Sequence, residues 1–130
     1  MLKSLKLLFL SLIALAAAVP AVAGPKWTEY DAAGFARLQA EGRTIVVDVH
    51  AEWCPTCRAQ QPILDTLRKD DRLADAVFVK VDFDTDKEFL RAHRVPRQST
   101  ILVFRGRKET ARSIAETRPA QLRAAVIAGI

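Results

Sequence analysis

The sequence predicts an α/β fold, with a central mixed β-sheet flanked by helices in a single domain. The 130 residues are 50% hydrophobic and 27% charged, a length and balance typical of one globular domain. Helix-forming stretches alternate with short β-branched apolar runs in the order αβαβαββα, and internal repeats and low-complexity linkers are absent from the sequence. We therefore expect one domain over residues 24–130, preceded by a signal peptide over residues 1–23.

The N-terminal segment has the pattern of a secretory signal peptide. Lys3 and Lys6 precede an apolar stretch at residues 7–19, and Ala21-Val22-Ala23 supplies the small residues of a cleavage site. An uncleaved membrane anchor is the alternative, but a spanning helix needs roughly 20 apolar residues, and Pro20 interrupts the run. We expect cleavage near Ala23 and a periplasmic or otherwise exported protein.

The first elements of the domain follow from its residue types. Residues 24–28 are expected to form a short leader, and good helix formers from Tyr30 to Glu41, ended by Gly42, predict the first helix. The β-branched apolar run from Arg43 to Val49 suits a strand that is buried on both faces. This strand carries Asp48 into the interior.

The next helix begins beside the two cysteines. Pro55 marks its first position, because a proline there gives up only a donor that the helix could not use. Cys54 is then the N-cap residue, and the helix extends to about Lys69, with a kink expected at Pro62. The remaining elements are a strand at 76–83, a helix at 86–94, strands at 100–104 and about 109–114, and a final helix at 119–127.

Cys54 and Cys57 are the only cysteines of the chain. In an exported protein their disulfide can persist, whereas the cytosol would keep both thiols reduced. As a staple the pair would contribute little, since closing so short a loop gives roughly 2 kcal/mol against about 3 kcal/mol for 15 residues. The spacing therefore indicates redox chemistry rather than stabilisation.

Residues 46–57 resemble the thioredoxin family in their strand, buried acid, tryptophan and Cys-x-x-Cys. Pro62 matches the proline of the family's active-site helix, Lys80 matches a strand lysine, and residues 100–104 resemble the strand that follows the substrate loop. The resemblance covers essentially the whole mature chain. It implies a thioredoxin fold and a thiol–disulfide oxidoreductase that acts on protein disulfides, with no cofactor beyond its own redox-active disulfide.

The resemblance also implies roles for the central residues. Cys54 is expected to be the nucleophile, because a helix N-terminus favours its thiolate, and Cys57, expected to be more buried, resolves the mixed disulfide. Asp48, with a pKa raised by burial, is expected to exchange a proton with Cys57; the alternative is an acid bonded to a nearby turn. Lys80 either pairs with Asp48 or is an ordinary strand lysine.

Residues around the cysteines have weaker assignments. Trp53 is expected to pack beside Cys54 and shield it, or else to be a core aromatic residue. Thr56 either bonds a sulfur or is a spacer. His50 departs from the family's usual aromatic residue, and packing is favoured over an electrostatic role. Because Pro55-Thr56 matches neither the Gly-Pro of cytosolic thioredoxins nor the Pro-His of strongly oxidising relatives, redox poise stays open.

The largest departure from the family lies in the loop before residue 100, where thioredoxins have a cis-proline facing the cysteines. Ungapped alignment puts Ser99 there, and Pro96 takes that place only if the loop is longer. A non-proline cis bond costs about 2.5 to 4 kcal/mol, so we expect a trans Gln98–Ser99 peptide and an altered loop. Arg97 is a candidate for lowering the pKa of Cys54 and attracting acidic substrates.

Alternative functions use the same two thiols. The cysteines with His50 or His93 could bind a metal ion, although the ligand count argues against a closed site, and we predict none. A disulfide oxidase or isomerase is a further alternative; the reductase is favoured because oxidases usually carry an inserted helical domain. A reductase outside the cytosol implies recharging by a membrane electron-transfer protein. Without Lys3 and Lys6 the mature chain would have 18 Lys and Arg against 15 Asp and Glu, a net charge of +3, which is too small to favour nucleic acid. We expect a monomer.

Overall fold

The computed structural model describes residues 18–19 and 23–130. The predicted signal peptide therefore lies largely outside the described residues, and its cleavage stays a prediction. Within the part of the chain that the structure describes, no helix is both long and apolar enough to cross a membrane.

Within residues 23–130, five strands form one mixed sheet in the order β1-β3-β2-β4-β5, with helices on both faces. Strands β1, β3 and β2 run parallel, whereas β4 is antiparallel to β2 and β5 is antiparallel to β4. The predicted fold class is confirmed. In chain order the elements are β1 Trp27–Glu29, α1 Ala32–Ala40, β2 Thr44–His50, α2 Pro55–Leu67, a 3₁₀ turn Asp71–Leu73, β3 Val77–Asp82, α3 Lys87–Ala92, β4 Thr100–Arg105, β5 Lys108–Ile114 and α4 Pro119–Ile127.

The expected leader at residues 24–28 is wrong, because β1 occupies part of it. This strand has three residues and pairs with β3 through Trp27 and Phe78, whose rings also meet edge to face at 5.2 Å. So short an edge strand has no alternation of its own, and its pairing with a strand 50 residues later defines it. The element order therefore begins with a strand.

The predicted helix boundaries need small corrections. Helix α1 begins at Ala32 rather than Tyr30, because the Asp31 carboxylate caps it by accepting the Gly34 N–H at 2.7 Å. Helix α2 ends at Leu67, and Lys69 lies in the turn that follows. The other predicted bounds differ from the observed ones by one or two residues, and α4 has its predicted bounds.

The hydrophobic core lies on both faces of the sheet, and the residues that flank Asp48 in β2 show which face its side chain occupies. In β2, Ile45, Val47 and Val49 pack on one face, while Val46 packs on the other with Leu64 of α2. Because side chains alternate along a strand, Asp48 shares the face of Val46. The buried acid therefore lies on the side of the sheet that the cysteine-bearing helix covers.

Candidate active site

Cys54 lies at the junction between β2 and α2. A turn after His50 is closed by the Cys54 N–H, which donates to the Ala51 carbonyl at 3.1 Å, and Pro55 is the first helical residue. As the N-cap, Cys54 has an extended backbone, and its Sγ accepts the Cys57 N–H at 3.1 Å. The predicted capping position is confirmed, and the sulfur lies at the positive end of the helix dipole.

Cys54 and Cys57 form a disulfide, with their Cα atoms 5.3 Å apart. Both cysteines are buried to the same degree in this oxidised state, with exposed fractions of 0% for Cys54 and 1% for Cys57, so the expectation that Cys57 is the more buried residue stays a prediction for the reduced protein. Ala51 and the partly buried Phe83 complete a small apolar cluster around them. Both sulfurs are therefore shielded from water while the disulfide is closed.

Ser99 faces the disulfide from the loop before β4. Its Oγ lies 3.1 Å from Cys54 Sγ and 3.3 Å from Cys57 Sγ, and Pro96 is exposed. Cis peptide bonds are absent from the described residues, so the Gln98–Ser99 peptide is trans as predicted. Ser99 has a φ of +64°, a left-handed conformation that few residues other than glycine adopt. The backbone of the loop is therefore left-handed at Ser99, and the expected difference from the family's loop stays a prediction.

Asp48 is buried, with 1% of its surface exposed, and its Oδ1 has no hydrogen-bond partner among the described residues. Burial raises the pKa of Asp48 to about 7, although the positive charge of Lys80 acts in the opposite direction. Lys80 is the register partner of Asp48 on β3. A buried carboxyl that titrates near neutral pH therefore lies on the face that α2 covers.

His50 lies between Asp48 and solvent. Its Nδ1 is 3.8 Å from Asp48 Oδ2, and its Nε2 is 3.5 Å from the exposed carboxylate of Glu52. Burial, and next the positive charge of Lys80, lower the pKa of His50. The imidazole therefore favours its neutral form at pH 7, and both the packing and the electrostatic interpretations of this residue remain predictions.

A family model described as Thioredoxin matches residues 27–128. The match spans most of the chain, including both cysteines, Asp48 and Ser99. The chain belongs to the thioredoxin family. Thioredoxin homologues are disulfide oxidoreductases, and with the Cys54–Cys57 disulfide this membership supports the predicted class, a thiol–disulfide oxidoreductase.

Individual relatives support this membership. The crystal structure of Trxlp from Edwardsiella tarda EIB202 has a TM-score of 0.73 and 39% identity, covering 76% of this chain and 96% of that one. Thioredoxin H2-2 of Oryza sativa subsp. japonica is 36% identical over 72 residues, 55% of this chain and 52% of that protein, so the alignment spans about half of that relative. Thioredoxin-2 of Saccharomyces cerevisiae is 27% identical over 103 residues, covering 79% of this chain and 92% of that protein.

Trp53 and Thr56, which flank Cys54 and Pro55 in the sequence, have different surroundings in the structure. Trp53 is 55% exposed, and its indole N–H donates to Asp84 at 2.8 Å. The interpretation of Trp53 as a core aromatic residue is therefore wrong. The apolar residues around the sulfurs are Ala51 and Phe83 instead, and a shielding role for Trp53 stays a prediction. The hydrogen bonds of the described residues do not connect Thr56 with either sulfur, which favours the spacer interpretation.

The arginine of the substrate loop is exposed. The main chain of Arg97 accepts the Thr100 hydroxyl at 2.7 Å, and no hydrogen bond or ion pair of the described residues joins its guanidinium to Cys54. Gln98 is partly buried. The structure therefore places both residues beside Ser99, while an effect of Arg97 on Cys54 stays a prediction.

A metal-binding arrangement is not apparent in the described part of the chain, which holds no group of three or more His, Cys, Asp or Glu side chains placed to bind an ion. His93 packs among aromatic rings, 4.3 Å from the Phe89 centroid. It lies near Phe35 and Phe104 rather than in the cysteine cluster.

Sequence reasoning missed Gln60. This fully buried amide donates to the Ser99 carbonyl at 3.2 Å and to the Glu116 carbonyl at 3.0 Å. Gln60 belongs to the buried stripe of α2, which also contains Cys57, Leu64 and Leu67. Its three-residue spacing from Cys57, on the same helical face, was the available signal.

Proposed function

We propose that this protein is an exported thioredoxin that reduces protein disulfides. The observation that carries the proposal is the position of Cys54 Sγ at the N-terminus of α2, where it accepts the Cys57 N–H. Only a thiolate attacks a disulfide, and a helix N-terminus stabilises that anion. Cys54 is the proposed nucleophile, and Cys57, one helical turn later, resolves the mixed disulfide.

Asp48 is the proposed proton acceptor for the resolving step. Cys57 must lose its proton before its sulfur attacks Cys54. A carboxyl with a pKa of about 7 exchanges protons readily near neutral pH, and Asp48 lies on the sheet face covered by the helix that carries Cys57. Lys80 tunes this acid through its positive charge.

Trapping of the mixed disulfide tests the assignment of the two cysteines. The reduced Cys57→Ser variant, mixed with a disulfide-bonded test protein, should accumulate a covalent complex that dithiothreitol dissolves. The matched Cys54→Ser variant keeps one thiol and should form little complex, because its remaining sulfur is not at the helix N-terminus. The opposite pattern would show that Cys57 is the nucleophile.

A redox titration tests the direction of electron flow. After equilibration in glutathione buffers and alkylation, a potential near the roughly −270 mV of thioredoxin supports a reductase, whereas one near the roughly −120 mV of strong oxidants supports a disulfide oxidase. Scrambled test disulfides that rearrange without net reduction would instead support an isomerase. The dithiol is the proposed redox group, so chelators should leave turnover unchanged.

The N-terminal sequence supports export. When the full chain is expressed in a Gram-negative bacterium, we expect a periplasmic, monomeric product whose mass corresponds to residues 24–130. In that compartment a membrane electron-transfer protein is the proposed source of electrons. An unprocessed product in the cytosol would refute export and make a soluble thioredoxin reductase the better partner.

A further inference from the structure

The Ser99 hydroxyl lies in contact with both reacting sulfur atoms. Its Oγ is 3.1 Å from Cys54 Sγ and 3.3 Å from Cys57 Sγ, and the residue has no exposed surface. A serine hydroxyl carries one proton and rotates to suit its acceptor. The hydroxyl can therefore donate a hydrogen bond to either sulfur without a change in the position of Oγ, because only its hydrogen has to rotate.

The main-chain N–H and carbonyl of Ser99 have hydrogen-bond partners other than the cysteines. Its N–H donates to the Val49 carbonyl at 2.8 Å, and its carbonyl accepts the Ala115 N–H at 2.9 Å. Among the hydrogen bonds of the described residues, the partners of Ser99 Oγ are the two cysteine sulfurs. The hydroxyl therefore forms its hydrogen bonds with the redox centre rather than within the loop.

The backbone at Ser99 gives an independent reason to look for a role of its side chain. Its φ of +64° lies in the left-handed region, which glycine adopts without steric cost and in which a residue with an L side chain is strained. Hydrogen bonds from Gln60 and Ala115 hold the residue there. Strain that the surroundings maintain at a reactive centre points to a function for the group that causes it.

We propose that Ser99 is a further catalytic residue, whose hydroxyl donates a hydrogen bond to the Cys54 thiolate and then to the Cys57 thiolate during thiol–disulfide exchange. The inference deepens the proposed function and rests on Cys54 being the nucleophile. A disulfide sulfur is a weak acceptor and a thiolate is a strong one. The hydrogen bond therefore strengthens when the disulfide opens.

The exchange balances without a proton leaving Ser99. The Cys54 thiolate attacks one substrate sulfur, the bond to Cys54 forms, the substrate disulfide breaks, and the released substrate thiolate takes a proton from water. The Cys57 thiolate, its proton accepted by Asp48, then attacks Cys54 Sγ. The Cys54–Cys57 bond forms, the second substrate thiolate leaves, and two electrons have passed to the substrate.

Two donors converge on Cys54 Sγ in this arrangement, the Cys57 N–H and the Ser99 hydroxyl. Both favour the thiolate, so the Ser99 hydroxyl lowers the pKa of the Cys54 thiol. By stabilising the reduced form, it also makes the protein more oxidising than the same chain without the hydroxyl.

The test measures the thiol pKa of Cys54 in reduced Cys57→Ala protein, from the pH dependence of iodoacetamide alkylation. Ser99→Ala removes the hydroxyl, and Ser99→Gly removes it while relieving the backbone strain. Thr100→Val is the matched control, since it removes the neighbouring buried hydroxyl that bonds Arg97 instead of a sulfur. Thermal unfolding of each variant checks the fold, and Ser99→Gly keeps the test available if Ser99→Ala does not fold.

We expect the Cys54 pKa to rise by roughly one to two units in both Ser99 variants, because a hydrogen bond to a charged group supplies about that much free energy. The Cys54 pKa should be unchanged in Thr100→Val. In the variants with both cysteines, the potential should fall by about 30 mV per tenfold loss of thiolate stabilisation. An unchanged pKa in both Ser99 variants, or an equal rise in the control, would overturn the proposal.

The outcome separates this inference from the reductase proposal. A raised Cys54 pKa together with a wild-type protein that fails to reduce the test protein would support Ser99 and refute the reductase. Normal turnover with an unchanged Cys54 pKa would support the reductase and refute the role of Ser99.

Discussion

Asp48 and Lys80 lie opposite each other on the adjacent parallel strands β2 and β3. The carboxyl is buried, the lysine is partly exposed, and no direct ion pair joins them among the salt bridges of the described residues. Burial therefore dominates, raising the pKa of Asp48 to about 7 against the opposing charge of Lys80. Burial thus sets the acidity of the proposed proton acceptor, and the charge of Lys80 moderates it.

Asp48→Asn should remove a pH dependence from the stability of the oxidised protein. The folded-state pKa of Asp48 exceeds its ordinary value of 3.8, so the folded protein binds this proton more tightly than the unfolded chain does. The resulting contribution to the free energy of unfolding is fully present below about pH 4 and is lost as pH rises through 7. At pH 8 the variant should be more stable by up to roughly 4 kcal/mol, at 1.36 kcal/mol per pKa unit. Urea unfolding from pH 4 to 8 measures this, and parallel curves would contradict it.

Lys80→Met should raise the pKa of Asp48 further, because it removes the positive charge that favours the carboxylate. The pH at which the stability loss levels off, about 7 in the wild-type protein, should move higher, measured against Asp48→Asn in the same background. Lys80→Arg is the control, since it keeps the charge and should leave that pH near 7. Equal shifts in both variants would indicate an effect of packing rather than charge.

His50→Gln should leave the pKa of Asp48, and with it the pH at which the stability loss levels off, close to the wild-type value. Although His50 Nδ1 is 3.8 Å from Asp48, burial and the charge of Lys80 lower the pKa of His50, so no cation is removed near pH 7. The same urea series detects the outcome. A rise comparable to that of Lys80→Met would show that His50 carries a charge in the folded protein.

The local parts of the site were predictable from the sequence because neighbouring residues determine them. The apolar run of β2 predicts a buried strand, and Pro55 predicts the start of α2, which together locate Cys54 at the N-cap. The family resemblance pointed to Ser99 as the residue opposite the cysteines. Its sulfur contacts agree with that alignment.

Other features depend on residues far away in the chain and were not predictable. Trp53 is held outward by Asp84, 31 residues later. Gln60 reaches Ser99 and Glu116, 39 and 56 residues away, and nothing near it in sequence indicates those partners. The positive φ of Ser99 has the same origin, since serine has no preference for it and tertiary hydrogen bonds impose it.

Gln60→Leu should destabilise the protein by about 1 to 3 kcal/mol, the usual cost of losing hydrogen bonds to buried groups. Its amide links α2 to the Ser99 and Glu116 carbonyls, and leucine fills a similar volume without donating. Part of the cost is offset because Gln60 Oε1 already has no partner among the described residues. Urea unfolding of the oxidised protein measures the difference.

Gln61→Leu is the control for that variant. The neighbouring glutamine is only partly buried, and its amide bonds Asp65 within the same helix at 3.3 Å. Its replacement should change the unfolding free energy by no more than about 0.5 kcal/mol. Equal losses from both variants would mean that the helix, rather than its link to the Ser99 loop, accounts for the effect. A neutral Gln60→Leu would mean that the loop keeps its conformation without Gln60, through the Val49 and Ala115 hydrogen bonds alone.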